Sequence, residues 1–475
     1  MKDWGVGIER PWRASAEPVD PALDADAILA RILDPDRRGT LHPLYHRLRA
    51  LDPIHSSRSP RLPERCFVLT RHRDVDRVAR SPAAVNDPDT ARVFDRDGQG
   101  GAFFQLMRHA MLFLEKADHD RVRRLVYKAF TPRAIAPLRA LTEETAHALL
   151  DAVAAKGRMD FVRDFAYPLP IRVIGRLLGL PDEDQARIEE WAWDFARAGD
   201  PMTATPETIR RGNVAADGFH AFFAAALDAR RAQPRDDLLT TLVEAEEDGR
   251  GLGREEAIAT CVLLLQAGHE TTADLLGNAV LNLFAHPDEL ARLLREPALL
   301  PAAVEELLRF EPPVQLSMRL VREPIDLGEK TIPAGSFAAL VYGAANRDPE
   351  MYAEPDVLRL DRGAPHLAFS AGAYYCIGNA LARSEIQAAL QVLLERLPTL
   401  RPDGAGWVER RTVRLRGPQA LPVAWDRPDE RRTDDGARPA SMSQSEARNA
   451  SSAARSAGLS ANGRRRSASR PPPRS

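Results

Sequence analysis

The sequence has few of the features that usually announce a function at once. Only three cysteines are present, Cys66, Cys261 and Cys376, and they lie far apart. That excludes a disulfide framework and any CxxC metal knuckle, and points to a reducing, cytoplasmic setting. A cysteine that does chemistry here does it alone. No apolar run approaches the roughly 20 residues of a spanning helix; the most apolar long stretch, Ala257–Gln266, runs into His269 and Glu270. The polar N-terminus, Met1–Ala22, is broken by Pro11, Pro18 and Pro21 and lacks an apolar core. It reads as neither signal peptide nor membrane anchor. A formal net charge of -2 over 475 residues leaves no basic field for nucleic acid or an anionic membrane.

What is present is an ordinary enzyme-like balance, 44% hydrophobic and 28% charged, in a chain long enough for one large core. Residues 1–23 read as a polar extension, 24–426 as a single mainly helical body with a minor β region, and 427–475 as a tail. The tail is rich in Ser, Arg and Pro and has no aromatic residue, so it cannot bury enough apolar area to offset ordering and is expected to be disordered. Periodicity predicts helices over Thr142–Val153, Glu255–Ala285 and Ile377–Leu397. β-branched and aromatic runs predict strands at Cys66–Thr70, Ile325–Leu327, Phe337–Tyr342 and Gln419–Trp425. Asn86–Gly101 and Ala198–Gly212, with their Gly and Pro, read as flexible coverings.

Cys66 sits in a strand-like run and Cys261 on an apolar helix, so both read as small buried hydrophobes. Cys376 differs. It follows a glycine-bearing loop and stands at the start of a predicted helix, where free N–H groups and the helix dipole favour thiolate. Gly372 and Gly378 bracket it, as close approach to a flat ligand or a positive φ requires, and Phe369 lies nearby in sequence. Such a thiolate suits the proximal side of a haem.

The pattern Phe369-x-x-Gly372-x-x-x-Cys376-x-Gly378 resembles the haem-binding loop of the cytochrome P-450 superfamily. Two positions depart from it: Ser370 stands where the family usually has glycine, and Tyr374 where it usually has His or Arg. The resemblance extends over about residues 41–425. Glu306-Leu-Leu-Arg309 is similar to the family's Glu-x-x-Arg helix, whose spacing lets the two side chains pair. The resemblance makes that pair a structural brace, with Arg362 as a third member. Ala267-Gly268-His269-Glu270-Thr271 is similar to the family's oxygen-groove segment. There Thr271 can bond back to the Ala267 carbonyl and loosen the helix, and His269 reads as a polar neighbour rather than a metal ligand. His119 and Arg123, four apart on one helical face, suit a haem propionate, as does Arg319 by resemblance. Tyr374 is expected to donate a neutral hydrogen bond to the same group.

The resemblance implies a cytochrome P-450 fold in one haem-enclosing domain, holding haem b through the Cys376 thiolate. It further implies a monooxygenase that uses O2 on an apolar small molecule. Glu270 and Thr271 would organise proton delivery. Electrons would come from NAD(P)H through a separate ferredoxin or flavodoxin with its reductase, since this chain carries no flavin or iron–sulfur motif. Arg121, Arg124 and Lys128 offer a basic face for such a partner. Phe103, Phe104, Leu106, Met107, Leu316, Ser317 and Met318 are candidates for the substrate pocket. A peroxide-driven peroxygenase, which has no need of the Glu270–Thr271 pair, and a non-catalytic haem sensor or carrier are the alternatives.

Overall fold

The architecture is set by the helix Arg254–Ala285. Its start is fixed by Glu256, whose carboxylate accepts from the Gly253 N–H at 2.8 Å, with Glu255 beside it in the first turn. Both favour the positive end of the helix dipole. Beyond that turn its buried residues point in every direction, and a helix apolar on all sides belongs in the middle of a fold. The computed structural model describes residues 7–11, 18–36, 41–95, 98, 100–247 and 252–427. In it this helix is the axis of the largest hydrophobic core, which gathers the helices Pro132–Asp151, Pro168–Leu178, Pro206–Ala232, Leu300–Phe310 and Asn379–Arg396.

The β region is small, as expected. A five-stranded sheet has the order Ile54–Ser57, Cys66–Leu69, Phe337–Val341, Leu316–Val321, Ala84–Val85. Only the pairing of Cys66–Leu69 with Phe337–Val341 is parallel. One side of this sheet packs with the helices Ala25–Ile32 and Leu41–Leu51 in a second core. Three predicted strands fall where they were placed, at Cys66–Leu69, Ile325–Asp326 and Phe337–Val341.

Two expectations need correction. Gln419–Trp425 is two strands, Pro418–Ala420 and Pro422–Ala424, which join different sheets; an apolar run does not reveal a change of partner at Leu421. The N-terminal extension is not wholly separate from the body, because Ile8–Pro11 pairs antiparallel with Gly406–Glu409. Asn86–Gly101 contains short helical turns at Pro88–Ala91 and Arg92–Phe94. Ala198–Gly212 is tied down by Asp200, whose carboxylate accepts from the Met202 and Val413 N–H groups at 3.0 and 2.7 Å. The expected disordered tail lies, apart from Arg427, outside the described residues. No helix among the described residues is long and apolar enough to cross a membrane.

Candidate active site

The cysteine loop closes on itself. The Cys376 N–H donates to the Phe369 carbonyl at 3.0 Å, and the Asn379 amide donates to the Cys376 carbonyl at 2.8 Å. The helix begins at Asn379, two residues later than expected. To make this turn the backbone takes positive φ twice, +61° at Ser370 and +68° at Gly372. Ser370 therefore adopts, at a cost of about 1–2 kcal/mol, a conformation that glycine takes freely. Tyr342 donates to its Oγ at 2.8 Å. Gly372 serves the protein rather than a ligand, since a Cβ there would stand 2.5 Å from the Ala79 carbonyl oxygen.

Burial pushes the Cys376 thiol up, while the Gly378 N–H and the charges of Arg123 and Arg383 draw it back down. The backbone N–H and the two cations thus act in the direction expected of a site that favours thiolate, against the burial. A bound metal, which removes the thiol proton outright, has to complete the change. Burial raises Cys66 to about 12, and Cys261 higher still, with no cation opposing it at either.

Cations flank the loop. His119 and Arg123 project from the helix Lys116–Tyr127. The His119 ring lies 4.8 Å from the Tyr374 ring, and Arg123 donates to the Tyr375 carbonyl at 2.6 Å. Arg319 lies 4.7 Å over the other partner of that contact, Tyr374, and donates to the Met318 carbonyl at 2.8 Å and Ser317 Oγ at 3.2 Å. It is buried, its Nε has no partner, and none of its hydrogen bonds or ion pairs reaches a carboxylate. A buried guanidinium without an anion is expensive, so this site fits a cofactor bearing carboxylates, as haem does. Tyr374 plays a different part from the one expected. Its hydroxyl donates to the Asn86 carbonyl at 3.0 Å and accepts from the Asn86 N–H at 2.9 Å. Its single proton is therefore committed to the main chain, and its ring is the platform between His119 and Arg319.

On the long helix, Thr271 is half-buried and donates to the Ala267 carbonyl at 2.6 Å, the back-bond expected from the sequence. His269 turns the other way. It hydrogen-bonds the Tyr167 carbonyl at 3.0 Å, and burial pushes it down to about 3, so it is neutral. At Gly268 a Cβ would lie 3.2 Å from Ile174. That glycine lets the helix Pro168–Leu178 pack close.

Glu270 is buried and held by Arg410 at 2.5 Å, and Asp274 reaches the same guanidinium at 3.1 Å. Burial pushes Glu270 up, against Arg410 and Arg414. It pushes Asp274 to about 7, against Arg410 and assisted by the charge of Glu270. Sequence reasoning missed both partners. Asp274 lies one turn beyond Glu270 and was legible from that spacing; Arg410, far along the chain, was not. A small cleft of about 40 Å³, lined by Trp193, Arg197, Asp200, Arg411 and Arg414 among others, leads to Glu270 and Arg410.

The Glu306–Arg309 pair is fully buried and bidentate, at 2.7 and 2.8 Å, and Arg362 joins Glu306 at 3.1 Å. Arg309 also donates to the carbonyls of Asn346 and Pro355. The pocket candidates divide. Phe103, Phe104, Leu106 and Met107 lie on the helix Ala102–His109, with Phe103 packed on Phe94 and Phe195. Strand alternation puts Ser317 with Arg319, whereas Leu316 and Met318 pack into the second core and are withdrawn as pocket residues. Arg121 is committed to Asp118 and Glu256, which leaves Arg124 exposed on the helix Lys116–Tyr127 and Lys128 exposed in the turn that follows it.

A lone cysteine in a closed loop flanked by cations suits a haem-thiolate site, and comparison with known proteins gives the family. Residues 201–405 match the Cytochrome P450 family. The chain is 39% identical to a biotin biosynthesis cytochrome P450 of Bacillus subtilis (strain 168) over 66% of this chain and 80% of that one. It is 36% identical to the cytochrome P450 monooxygenase PikC of Streptomyces venezuelae, over 86% and 95% of the two chains. The crystal structure of P450BioI in complex with acyl carrier protein ligated to hexadec-9Z-enoic acid superposes with a TM-score of 0.76. It is 35% identical and covers 81% of this chain and 98% of that one. The chain belongs to the cytochrome P450 family. It is a monooxygenase of that family, and membership implies haem held by a cysteine thiolate.

Proposed function

We propose that this protein hydroxylates or epoxidises an apolar small molecule, with electrons from NAD(P)H passed by a separate ferredoxin or flavodoxin and its reductase. The observation that carries the reading is the conjunction of the closed Cys376 loop with the buried, anion-free Arg319. Cys376 would hold the haem, and His119, Arg123 and Arg319 would take its carboxylates. Bound there, the haem supplies O2 activation and the transfer of one oxygen atom to substrate.

The chain's own residues do the rest. Arg123, Arg383 and the Gly378 N–H steady the charge on Cys376. Thr271, anchored to the Ala267 carbonyl, presents a hydroxyl that holds and passes a proton. Glu270 supplies it, fixed by Arg410 and reached by solvent through the cleft. Phe103, Phe104, Leu106 and Met107 exclude water and favour an apolar guest. The acyl chain carried by the P450BioI complex supports that substrate class. Arg124 and Lys128 provide the basic face for an acidic redox partner.

The test is reconstitution with a ferredoxin and its reductase, with substrates chosen by the spin shift of the haem. Product should form only when NADPH and partner are both present, and Cys376→Ser should lose the red-shifted carbonyl-haem band of a thiolate. Equal product from hydrogen peroxide alone would make the protein a peroxygenase. Spin shifts without product would make it a carrier.

A further inference from the structure

Three charged groups meet behind Glu270, and their charges do not balance. Glu270 and Asp274 are both acidic, both nearly inaccessible, and share the single guanidinium of Arg410. Arg410 has no hydrogen-bond acceptor for its Nε, and neither Asp274 oxygen makes a geometrically sound hydrogen bond. The Gly417 backbone closes over Asp274, where a Cβ would come within 2.3 Å of Oδ1. On that side Asp274 is packed against backbone and is 1% exposed. The other charged or titratable groups acting on the cluster are Tyr167 before the helix Pro168–Leu178, the neutral His269 beside Glu270, Asp200 after the helix Gln185–Ala198, and Arg414 on the loop that bears Arg410, with Glu189 reaching only Tyr167. Only Arg414 among these adds positive charge, and it acts on Glu270, not on Asp274. Two buried carboxylates on one cation cannot both stay ionised at low cost.

We infer that Asp274 is a positioning residue for proton supply: it competes with Glu270 for Arg410, so that the two carboxyl groups hold one exchangeable proton between them. The inference deepens the monooxygenase reading and rests on it for the fate of that proton. When Glu270 releases the proton toward Thr271, the cluster is left with two negative charges and one positive. A proton then returns from water in the cleft that ends at Glu270, which restores the starting state. With an uncharged residue at position 274, Glu270 would keep Arg410 to itself and stay ionised, a poorer proton source near neutral pH. The direction of the Asp274 shift agrees with this account, which stands on the shared guanidinium.

The experiment is infrared titration of the protonated-carboxyl stretch in the full-length, haem-loaded protein without turnover. Glu385 is also buried and pushed well up, with one oxygen unpartnered, so its band forms a constant background. Wild type should show an additional band that bleaches through the neutral range. Asp274→Asn should abolish that band. Glu270→Gln should keep it but shift its midpoint down by about one pH unit or more, a tenfold change or greater, because Asp274 then has Arg410 alone. A titrating band untouched by Asp274→Asn, or no such band in wild type, overturns the inference. So does an unmoved midpoint in Glu270→Gln, should Asp274→Asn fail to fold. In the reconstituted system, product per NADPH in Asp274→Asn should fall at neutral pH and recover toward acid. Absence of product in every variant would break the monooxygenase reading alone, since the infrared band is read without turnover.

Discussion

Two buried arginine–carboxylate clusters sit in one fold with opposite arithmetic. At Glu306, one carboxylate faces two guanidiniums, and the Arg309 and Arg362 donors that remain go to the carbonyls of Asn346, Ala353, Glu354, Pro355 and Val357. At Arg410, one guanidinium faces two carboxylates, with donor and acceptor atoms left over. The first is a saturated brace in which no proton has reason to move. The second is short of one positive charge, and a proton is the cheapest way to supply it. Both are read as Arg–acid pairs in a list of contacts, yet saturation separates structure from chemistry.

Each prediction breaks or sharpens that contrast. The largest effect is expected at the brace. Glu306→Ala or Arg309→Ala leaves a fully buried charge short of its partner, at a cost of about 3–5 kcal/mol, with haem content falling in parallel. Denaturant unfolding checks it, and a variant of normal stability would reduce the brace to decoration. Arg410→Met should cost up to about 3 kcal/mol, but with a pH dependence the brace variants lack. Burial already raises Glu270 and Asp274 in the folded state, and removing Arg410 raises them further. Folded protein then binds more protons than unfolded protein, from the ordinary carboxylate range up through the raised values, so stability falls as pH rises through that window. The loss should be large in mild alkali and small in mild acid; a loss equal at both would show that the cluster holds no proton.

Thr271→Ala should leave substrate binding intact and lower product per NADPH about tenfold, equivalent to about 1.4 kcal/mol, with hydrogen peroxide making up the difference. Unchanged coupling would mean that protons bypass Thr271. The smallest effect is expected at Tyr374, which carries no charge. Tyr374→Phe breaks its bonds to Asn86 and should cost about 1 kcal/mol equally in acid and alkali, with haem retained. Loss of haem there would restore a cofactor contact to the hydroxyl.

Much of the site was legible because its signals are local. The cysteine loop, the Glu306–Arg309 spacing and the Thr271 back-bond to Ala267 each span only a few residues, and the long helix announces itself by a long apolar stretch interrupted at His269 and Glu270. What escaped depended on distant chain. Arg410 reaches Glu270 from a loop near the C-terminal end, and Gly268 owes its place to Ile174 on another helix. The Asn86 backbone that takes the Tyr374 hydroxyl is likewise remote in sequence. Strand alternation was legible in principle and assigns Ser317 and Arg319 to one face, although the three consecutive residues Leu316, Ser317 and Met318 were read as one wall. At Ser370 nothing announces the positive φ beyond the departure from the glycine expected there.

The brace also fixes an order of assembly. Glu306 and Arg309 are adjacent on one helix, but the groups that complete their bonding come from Asn346, Pro355, Arg359 and Arg362. A ribosome delivers these later, and Arg362 only shortly before Cys376. During synthesis the helix must wait with part of its polar capacity unmet, and the same short stretch of translation releases it and provides the thiol. Closure of this part of the fold is thereby placed, in the life of the chain, just ahead of the loop that bears Cys376.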